Sequence, residues 1–341
     1  MSGTFSVGVL GASGFAGSEL LRILATHPDF DVQLAGADSQ AGTRVCDLYP
    51  GLAAAYPDLV FTDAAASDCA GLDLVFLGLP HGISQGIVPE LRGQVKWLVD
   101  AASDFRLKDP ALYPQWYGAE HPAPELLLDA AYGIPELFRP EIEASDLVAV
   151  AGCYPTGAAL AIAPFVRDGL VDTTKIIVNA ATGVSGAGRP PKDHTTFCAA
   201  DENFTAYGLL DHRHTPEIEQ ATGAHVLFTP HLAPMNRGIF TTAYASPVGD
   251  CSTEALLACL DRHYGDEPFV VVDERIPSTK ATQGANTAHL TARFDERTGT
   301  VVLLSAIDNL VKGTSGQAVQ CANLLAGLPE TVGLPTVGLM P

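Results

Sequence analysis

The 341-residue sequence predicts an α/β protein, with a doubly wound parallel sheet in its first part and an α+β domain with a large mixed sheet in its second. Two observations support this. In the first part, short apolar runs alternate with amphipathic helical stretches, which is typical of parallel strands joined by crossover helices. In the second part the strand-like runs are longer and have fewer helices between them, which favours a mixed or antiparallel sheet.

Strands and helices are predicted to alternate through the first part. Helices are predicted at residues 15–25 and 85–91, and an all-apolar strand at 147–151. Residues 108–140 are rich in proline and aromatic side chains and are predicted to be mostly loops. The remaining predicted strands have the sequences FSVGVL, VQLAGA, LDLVFLGL and VKWLVDAA.

The change in pattern near residue 150 predicts a domain boundary. The first domain is expected at 1–150 and the second at 151–312, and a C-terminal helix within 313–328 is expected to return to the first domain. Another helix is predicted at 253–263. The predicted strands of the second domain are TKIIVNAATG, HVLFTP, GIFTTAYASPV, FVVVDE, AHLTARFD and TVVLLSAI.

The chain is strongly acidic, with 19 Lys and Arg against 39 Asp and Glu and a formal net charge of −20. Such a charge opposes binding to nucleic acid or an anionic membrane, so neither is an expected partner. Residues 147–166 have the length of a membrane helix, but Gly152, Pro155 and Gly157 interrupt them. The N-terminus lacks the basic start of a signal peptide, which favours a cytoplasmic protein.

Seven cysteines form no C-x-x-C pair and leave an odd one over, so neither a zinc knuckle nor a disulfide framework is expected. Cys153 differs from the others because it is predicted in a strand-to-helix turn, with Gly152 at the bend and the helix starting near Pro155. A helix N-terminus stabilises a thiolate. Cys153 is therefore a candidate nucleophile, whereas the other cysteines are expected to be small apolar core residues.

A glycine-rich segment, GVLGASGFAG, follows the first predicted strand. Its glycines, Gly8, Gly11, Gly14 and Gly17, recur every three residues at the start of the first predicted helix. Glycines there let the backbone approach a pyrophosphate, which the helix N-terminus attracts, so a Rossmann-type nucleotide site is predicted. The alternative is a tight strand-to-helix turn without a ligand.

The second predicted strand ends near residues that bear on the choice of nucleotide. An acid here typically binds the ribose hydroxyls of NAD, whereas a hydroxyl with an arginine suits the 2′-phosphate of NADP. Asp38 fits the first pattern, and Ser39 with Arg44 fits the second. Asp38 can also simply cap the following turn.

The segment HRHTPEIE offers a base for the cysteine. His212, His214 and Glu217 are close together in sequence, and Arg213 among them can bind an anion. The same residues also read as a helix start with Thr215 as its cap. H-x-H is also a common pair of metal ligands, so a metal-dependent hydrolase built on His212 and His214 is an alternative function.

Polar, glycine-rich loops provide candidate ligands for an anionic substrate, which this acidic chain must attract locally. Arginine is suited to this because its planar fork binds carboxylate or phosphate through two hydrogen bonds. The candidates are Ser103, Asp104, Arg106, Ser185, Gly186, Gly188, Arg189, Lys192, His231, Arg237, Asn309, Lys312 and Gly313.

Taken together, these motifs resemble the N-acetyl-γ-glutamyl-phosphate reductase family, whose members catalyse the third step of arginine biosynthesis. The resemblance rests on GASGFAG, LPHG, SDFR, GCYPTG, GVSGAGR, HRHTPEI, PHLAPMNRGI and DNLVKGTSGQAVQ, which occur in order along nearly the whole chain. It implies an NADP-binding Rossmann domain and a second domain for catalysis and oligomer contacts. It also implies a small acyl phosphate as substrate, NADP(H) as cofactor and a homodimer or homotetramer.

The resemblance also implies roles for particular residues. Cys153 would form a thioester that NADPH reduces, and one histidine, His214 in preference to His212, would move the proton, with Glu217 orienting the imidazole. Arg106, Tyr154 and Arg237 would bind the substrate. The residues implied in cofactor binding are Gly11, Ser13, Gly14, Phe15, Ala16, Gly17, Ser39, Arg44, Pro80, His81, Ser185, Gly186 and Asn309.

Two further alternatives to this function are open at this point. A related reductase of lysine biosynthesis acts on an aminoadipyl phosphate attached to an acidic carrier protein, which a chain of charge −20 is poorly suited to dock. A nucleotide-binding sensor without catalytic activity would bind NADPH yet leave Cys153 unreactive.

Overall fold

The computed structural model describes residues 4–339, which form two compact units. The first unit comprises the residues up to Ala151 together with Thr314–Leu334, and the second comprises Gly152–Gly313 with the residues from Pro335 onward. The strands are β1 Phe5–Leu10, β2 Phe30–Gly36, β3 Leu74–Leu77, β4 Trp97–Asp100, β5 Ala131–Gly133, β6 Leu147–Val150, β7 Ile176–Thr182, β8 Thr205–Ala206, β9 Val226–Leu232, β10 Ile239–Ala245, β11 Val270–Val272, β12 Ala288–Asp295 and β13 Thr300–Ile307.

Several of the helices are single turns of four residues. None of those in residues 4–339 combines the length and apolar character needed to cross a bilayer. They are α1 Phe15–Leu24, α2 Val45–Leu48, α3 Ser84–Leu91, α4 Leu112–Tyr117, α5 Pro135–Glu143, α6 Cys153–Arg167, α7 Phe197–Ala200, α8 His214–Thr222, α9 Thr253–Tyr264, α10 Thr279–Thr282 and α11 Gly316–Leu325.

The first unit is a Rossmann-type sheet of six parallel strands in the order β2-β1-β3-β4-β6-β5. Strands β3, β4 and β6 are wholly buried, as expected for parallel strands covered on both faces. Because the strands run in one direction, the loops that follow β2, β1, β3 and β4 emerge at one edge of the sheet. In such folds this carboxyl edge is where nucleotides bind.

The prediction of a loop-rich segment at 108–140 is wrong in part. It contains α4, the edge strand β5 and the start of α5. Proline does not prevent α5 from forming, because Pro135 occupies its first position, where no intrahelical N–H is needed. The strand β5 has only three residues, which is too short for an alternating pattern to reveal it.

The second unit contains a mixed sheet of seven strands in the order β11-β12-β13-β10-β7-β9-β8. Buried and partly exposed residues alternate along β7 and β10, so one face of the sheet is packed and the other is not. Helices α6 and α9 pack on this sheet. The sequence therefore predicted the fold class correctly for both parts.

Candidate active site

Cys153 is the first residue of helix α6, and Gly152 is its N-cap. The helix thus starts two residues earlier than the predicted start near Pro155. The reason is that both the backbone N–H and the hydroxyl of Thr156 donate to the carbonyl oxygen of Gly152, each at 2.9 Å, which draws that carbonyl into the first turn. The thiol therefore lies at the positive end of a 15-residue helix, which favours a negative charge there.

Gly313 packs closely against Cys153, and its lack of a side chain makes room for that residue. A Cβ atom built at Gly313 would lie 2.8 Å from the Cβ and 3.2 Å from the Cα of Cys153. Gly313 belongs to the π-helical turn Val311–Ser315, and its N–H donates to the carbonyl oxygen of Asp308 at 2.9 Å. The sequence indicated Gly313 only as part of a polar loop, because nothing in the pattern shows which residue faces it.

The buried carboxylate of Glu217 connects His214 to the cysteine helix. Its Oε2 lies 2.8 Å from Nδ1 of His214, and its Oε1 accepts the N–H of Gly152 at 2.7 Å. Since a carboxylate accepts, Nδ1 of His214 is the protonated nitrogen when the ring is neutral. That leaves Nε2 as the ring atom that can take up or release a proton.

His212 has a different environment from His214. Its Nδ1 accepts the backbone N–H of His214 at 3.2 Å, and the two ring centroids are 4.9 Å apart. Burial, followed by the nearby His214, lowers the pKa of His212 to about 3, so its ring is neutral at physiological pH. The hydrogen bond to His214 N also explains why α8 begins at His214. The prediction of Thr215 as the helix cap is therefore wrong.

Two tyrosines pack beside these histidines. Tyr154 is buried, and its ring lies edge-on to the rings of His212 and His214, with centroids 5.8 and 6.2 Å away. Its hydroxyl donates to the carbonyl oxygen of His231 at 3.0 Å and accepts from the hydroxyl of Tyr207 at 3.1 Å. Burial raises the pKa of Tyr207 to about 12. Sequence reasoning did not single out Tyr207, which no motif marks.

Three predicted segments of the second unit meet around Asn309. Its side-chain oxygen accepts the N–H of Gly238 at 2.7 Å, and its amide nitrogen donates to the hydroxyl of Ser185 at 3.0 Å. Gly186 lies in the same helical turn as Ser185. Next to this group, Nε of Arg237 lies 3.0 Å from the buried carboxylate of Asp308. Asp308 thus fixes the guanidinium, a role for which the sequence gave no signal.

The glycine-rich loop of the first unit has the geometry of a phosphate cradle. Gly11 has a φ of +79°, and a Cβ there would lie 2.4 Å from the carbonyl oxygen of Gly78. A Cβ at Gly17 would lie 2.3 Å from the carbonyl oxygen of Gly11. Helix α1 begins at Phe15 with Gly14 as its N-cap and no side chain capping it, so its first N–H groups suit an anionic ligand.

Two other backbone carbonyls of this loop are fixed by hydroxyl groups. Tyr49 donates to the carbonyl oxygen of Ser13 at 2.6 Å, and Ser315 donates to that of Ala16 at 2.8 Å. Two residues of the first unit thus fix the backbone of this loop.

His81 follows β3 and is held by a buried acid. Its Nδ1 lies 2.6 Å from Oδ1 of Asp104, and the same carboxylate accepts the N–H groups of Gly82 and Gln85 at 2.9 and 3.1 Å. Burial by itself would raise the pKa of Asp104, but these hydrogen bonds hold it below the ordinary value. Pro80 and His81 are exposed at the carboxyl edge of the sheet.

The residues predicted to choose between NAD and NADP are exposed. Asp38 and Ser39 lie in a helical turn directly after β2. Arg44 forms two hydrogen bonds with Asp47, at 2.8 and 3.1 Å. Because this ion pair is solvent-exposed, it is weak, and Arg44 can turn to another anion at little cost.

Arg106 is buried, and its guanidinium is bound to the backbone. Its Nε donates to the carbonyl oxygen of Val150 and its Nη2 to that of Ala101, both at 2.8 Å. These bonds join the chain just after β4 to the end of β6. The predicted contact of Arg106 with substrate stays a prediction, while the geometry gives it a structural part.

Comparisons with known proteins identify the family to which the chain belongs. Family models described as "Semialdehyde dehydrogenase, NAD binding domain" and "Semialdehyde dehydrogenase, dimerisation domain" match residues 6–145 and 153–309. The N-acetyl-gamma-glutamyl-phosphate reductase of Symbiobacterium thermophilum is 44% identical, covering 98% of this chain and 99% of that protein. The enzyme of the same name from Pseudomonas putida W619 is 43% identical with the same coverage. The chain belongs to the N-acetyl-γ-glutamyl-phosphate reductase family.

Solved structures show the fold of this reductase family member in more distant proteins. Aspartate semialdehyde dehydrogenase II of Vibrio cholerae has a TM-score of 0.72 at 17% identity, covering 96% of this chain and 99% of that one. Aspartate semialdehyde dehydrogenase with NADP from Candida albicans has a TM-score of 0.69 at 16% identity, covering 95% and 98%. At such identities the likeness concerns the fold alone. The resemblance that the sequence motifs indicated is thus confirmed by the reductase sequences.

Proposed function

We propose that this chain catalyses the NADPH-dependent reduction of N-acetyl-γ-glutamyl phosphate to N-acetylglutamate 5-semialdehyde and phosphate, a step of arginine biosynthesis. One observation carries the proposal. In a chain 44% identical to a reductase of that name, Glu217 binds both the imidazole of His214 and the backbone of Gly152, the residue before Cys153. A nucleophile, a base and a group that orients the base are the parts that acyl transfer requires.

The first chemical step makes a thioester. The Cys153 thiolate attacks the γ-carbonyl carbon of the acyl phosphate, the C–O bond to phosphate breaks, and inorganic phosphate leaves. A thiolate suits this step because it is both a strong nucleophile and a good leaving group. The N-terminus of α6 stabilises the negative charge before the attack and again when the thiolate is released.

His214 handles the proton of the second half-reaction. When bound, NADPH supplies the hydride that converts the thioester to the aldehyde level. His214 protonates the resulting oxygen through Nε2 and removes that proton again as the C–S bond breaks, which frees the aldehyde and the thiolate. Glu217 keeps Nδ1 protonated and the ring in one orientation throughout.

The first unit fits a dinucleotide and is proposed as the NADP(H)-binding domain. Side chains at Gly11 or Gly17 would collide with backbone carbonyls and prevent the tight loop, and α1 has no side-chain cap to compete with a pyrophosphate. Ser39 and Arg44 are proposed for the 2′-phosphate, and Pro80 and His81 for the nicotinamide side. The second unit is proposed as the catalytic and oligomerisation domain.

Arg237 is the proposed ligand of the substrate's anionic groups. It is partly exposed, and Asp308 fixes one side of its guanidinium at 3.0 Å, so the planar fork is held in a defined direction. Arg106, whose guanidinium is bound to two backbone carbonyls, is the weaker candidate.

The reverse reaction tests the function most directly. Purified protein is assayed for phosphate-dependent oxidation of N-acetylglutamate semialdehyde, with NADP and with NAD. Aspartate semialdehyde is the control substrate. We expect turnover with the N-acetylated substrate, with kcat/KM at least about 100-fold higher than with aspartate semialdehyde. No phosphate dependence, or a preference for aspartate semialdehyde, would refute the proposal.

The exposed face of the second sheet is proposed as a homodimer interface. Leu227, Ile177, Tyr244 and Val302 lie side by side across β9, β7, β10 and β13 and are partly or largely exposed. An apolar row of this kind is typical of a surface that another chain covers. Sedimentation at micromolar concentration should therefore show a dimer that Tyr244→Asp dissociates. A wild-type monomer at that concentration would contradict the proposal. A homotetramer would require a second interface.

The proposed location is the cytoplasm. All seven cysteines are free. Reduced thiols persist in that compartment, and the nucleophile of this mechanism has to stay reduced.

A further inference from the structure

A thiol, an imidazole and a carboxylate converge at the end of helix α6, apart from His212 and His214. Cys259 and His263 are four residues apart on α9 and therefore share one face of that helix. Asp168, the C-cap of α6, faces them, with Oδ2 3.3 Å from Sγ of Cys259 and Oδ1 3.0 Å from Nε2 of His263. One ligand atom from each of the three residues lies within 4.8 Å of the other two.

We propose that Asp168, Cys259 and His263 bind one Zn²⁺ ion, with water as the fourth ligand. Thiolate sulfur, imidazole nitrogen and carboxylate oxygen are all zinc ligands, with bond lengths of about 2.0–2.3 Å. Ligand atoms around a tetrahedral zinc are therefore roughly 3.3–3.8 Å apart. The 3.3 and 3.0 Å separations present involve different oxygens of Asp168, so the carboxylate has to rotate to bring one oxygen close to both other ligand atoms. One ligand atom from each residue already lies within 4.8 Å of the other two.

The backbone around the cluster also favours a cation. Asp168 ends α6, and His263 lies in the last turn of α9, so the carbonyl ends of both helices are close to the site. The C-terminal end of a helix carries partial negative charge. Cys259 is fully buried, which protects a metal–thiolate bond from solvent, while Asp168 and His263 are partly exposed and give the ion a route in.

Arg262 is the competitor for this site. Its guanidinium contacts Oδ2 of Asp168, the same oxygen that accepts from Cys259. The side chain is 60% exposed, so an exposed ion pair is all that holds it, and it can move into solvent at little cost. When Zn²⁺ binds, Cys259 loses its thiol proton to solvent and Arg262 leaves the carboxylate. The ion, the thiolate and the carboxylate together are then neutral.

The consequence of binding is structural. The ion would join the end of α6, whose first residue is Cys153, to α9. With 15 residues, α6 is about 22 Å long, so the metal would lie far from the reacting sulfur. The sequence did not indicate this site because Asp168 is 91 residues from Cys259 and only the fold brings them together.

Cobalt titration tests the site in the full-length chain, using Cys153→Ser to remove the catalytic thiol. Co²⁺ reports a thiolate ligand through a near-ultraviolet charge-transfer band. We expect one equivalent to produce this band, Zn²⁺ to abolish it by competition, and Cys259→Ser in the same background to eliminate it. Cys198→Ser, which removes an exposed thiol, is the matched control and should leave the band unchanged.

Arg262→Ala gives a second test, in which zinc binding is expected to become tighter. This variant keeps all three ligands and removes the competing cation, so the Kd for Zn²⁺ should fall by about 2- to 5-fold, as expected for the loss of an exposed ion pair. Absence of a charge-transfer band in the Cys153→Ser chain would overturn the proposal and leave an ion-pair cluster that only ties two helices together. A band that survives Cys259→Ser, or an affinity unchanged by Arg262→Ala, would also overturn it.

Discussion

Glu217 accepts a hydrogen bond from His214 at 2.8 Å while its other oxygen accepts the N–H of Gly152 at 2.7 Å. The carboxylate is fully buried, and these two bonds hold its two oxygens in place. One side chain thereby sets the tautomer of the proposed base and holds the backbone of the residue before Cys153. This relationship makes Glu217 a positioning residue whose role can be separated from simple structural support.

We expect Glu217→Gln to lower kcat by about 10²- to 10⁴-fold with little change in KM. A glutamine offers one oxygen and one NH₂ group, so it can accept from only one of its two present donors. If the oxygen faces Gly152, the amide NH₂ faces Nδ1 of His214 and forces the opposite tautomer. Steady-state kinetics across a pH range checks this, because a merely structural change would leave the shape of the kcat profile unaltered.

The two histidines serve as each other's control. His214→Asn should reduce kcat at least about 100-fold. His212→Asn should retain more activity, because its amide oxygen can still accept the N–H of His214. A larger loss of kcat in the His212 variant than in the His214 variant would show that His212 transfers the proton, and would contradict the assignment to His214.

Cys153→Ser should abolish turnover, with a loss of more than about 10³-fold in kcat, while NADPH still binds. Most of the residues proposed to bind the nucleotide, including the glycine-rich loop, lie in the first unit, whereas the sulfur belongs to the second. With acyl phosphate and no cofactor, wild-type protein should gain the mass of one acyl group by mass spectrometry, and the variant should gain none. Cys251→Ser is the matched control, and retained turnover in Cys153→Ser would exclude the thioester route.

Gly313→Ala should reduce kcat at least about 10-fold, because the added methyl would lie 2.8 Å from the Cβ of Cys153. The backbone of Cys153 and the carbonyl of Asp308 are also within 3.3 Å, so little around it can yield. Gly86→Ala is the control, since a Cβ there meets nothing within 4 Å. Equal activity of the two variants would show that Cys153 moves aside without cost.

The secondary-structure elements and the candidate nucleophile could be predicted from the sequence, but most of the contacts between distant side chains could not. The glycine spacing at Gly11 and Gly17 predicts a tight loop because the turn itself depends on local backbone geometry, although the contact of Gly11 with Gly78 does not. The bond of Glu217 to Gly152 joins residues 65 apart, and that of Arg237 to Asp308 joins residues 71 apart, so both need the folded chain. Helix ends were hardest to place, because side chains such as Thr156 and His212 decide them.

Asp100 provides a prediction about stability and pH. It is fully buried and accepts hydrogen bonds from the hydroxyl of Ser84 at 2.8 Å and the N–H of Ala102 at 2.9 Å. Burial, with the nearby Asp104 adding to it, raises the pKa of Asp100 from 3.8 to about 7. Between these two values the folded protein binds a proton that the unfolded chain has lost. The free energy of unfolding therefore falls as the pH rises through this window and levels off above it.

Asp100→Asn removes this dependence and can keep the hydrogen bonds. Its oxygen can accept from the N–H of Ala102, and its NH₂ can donate to the hydroxyl of Ser84. That hydroxyl can then donate to Asp104, which lies 3.0 Å from it in the wild-type structure. Relative to wild type, the unfolding free energy of the variant should rise between pH 4 and pH 7, by at most about 1.4 kcal/mol per pH unit. Urea unfolding at several pH values measures it. The exposed Asp63→Asn should instead run parallel to wild type, and an Asp100→Asn curve that does the same would mean that Asp100 is ionised in the folded protein.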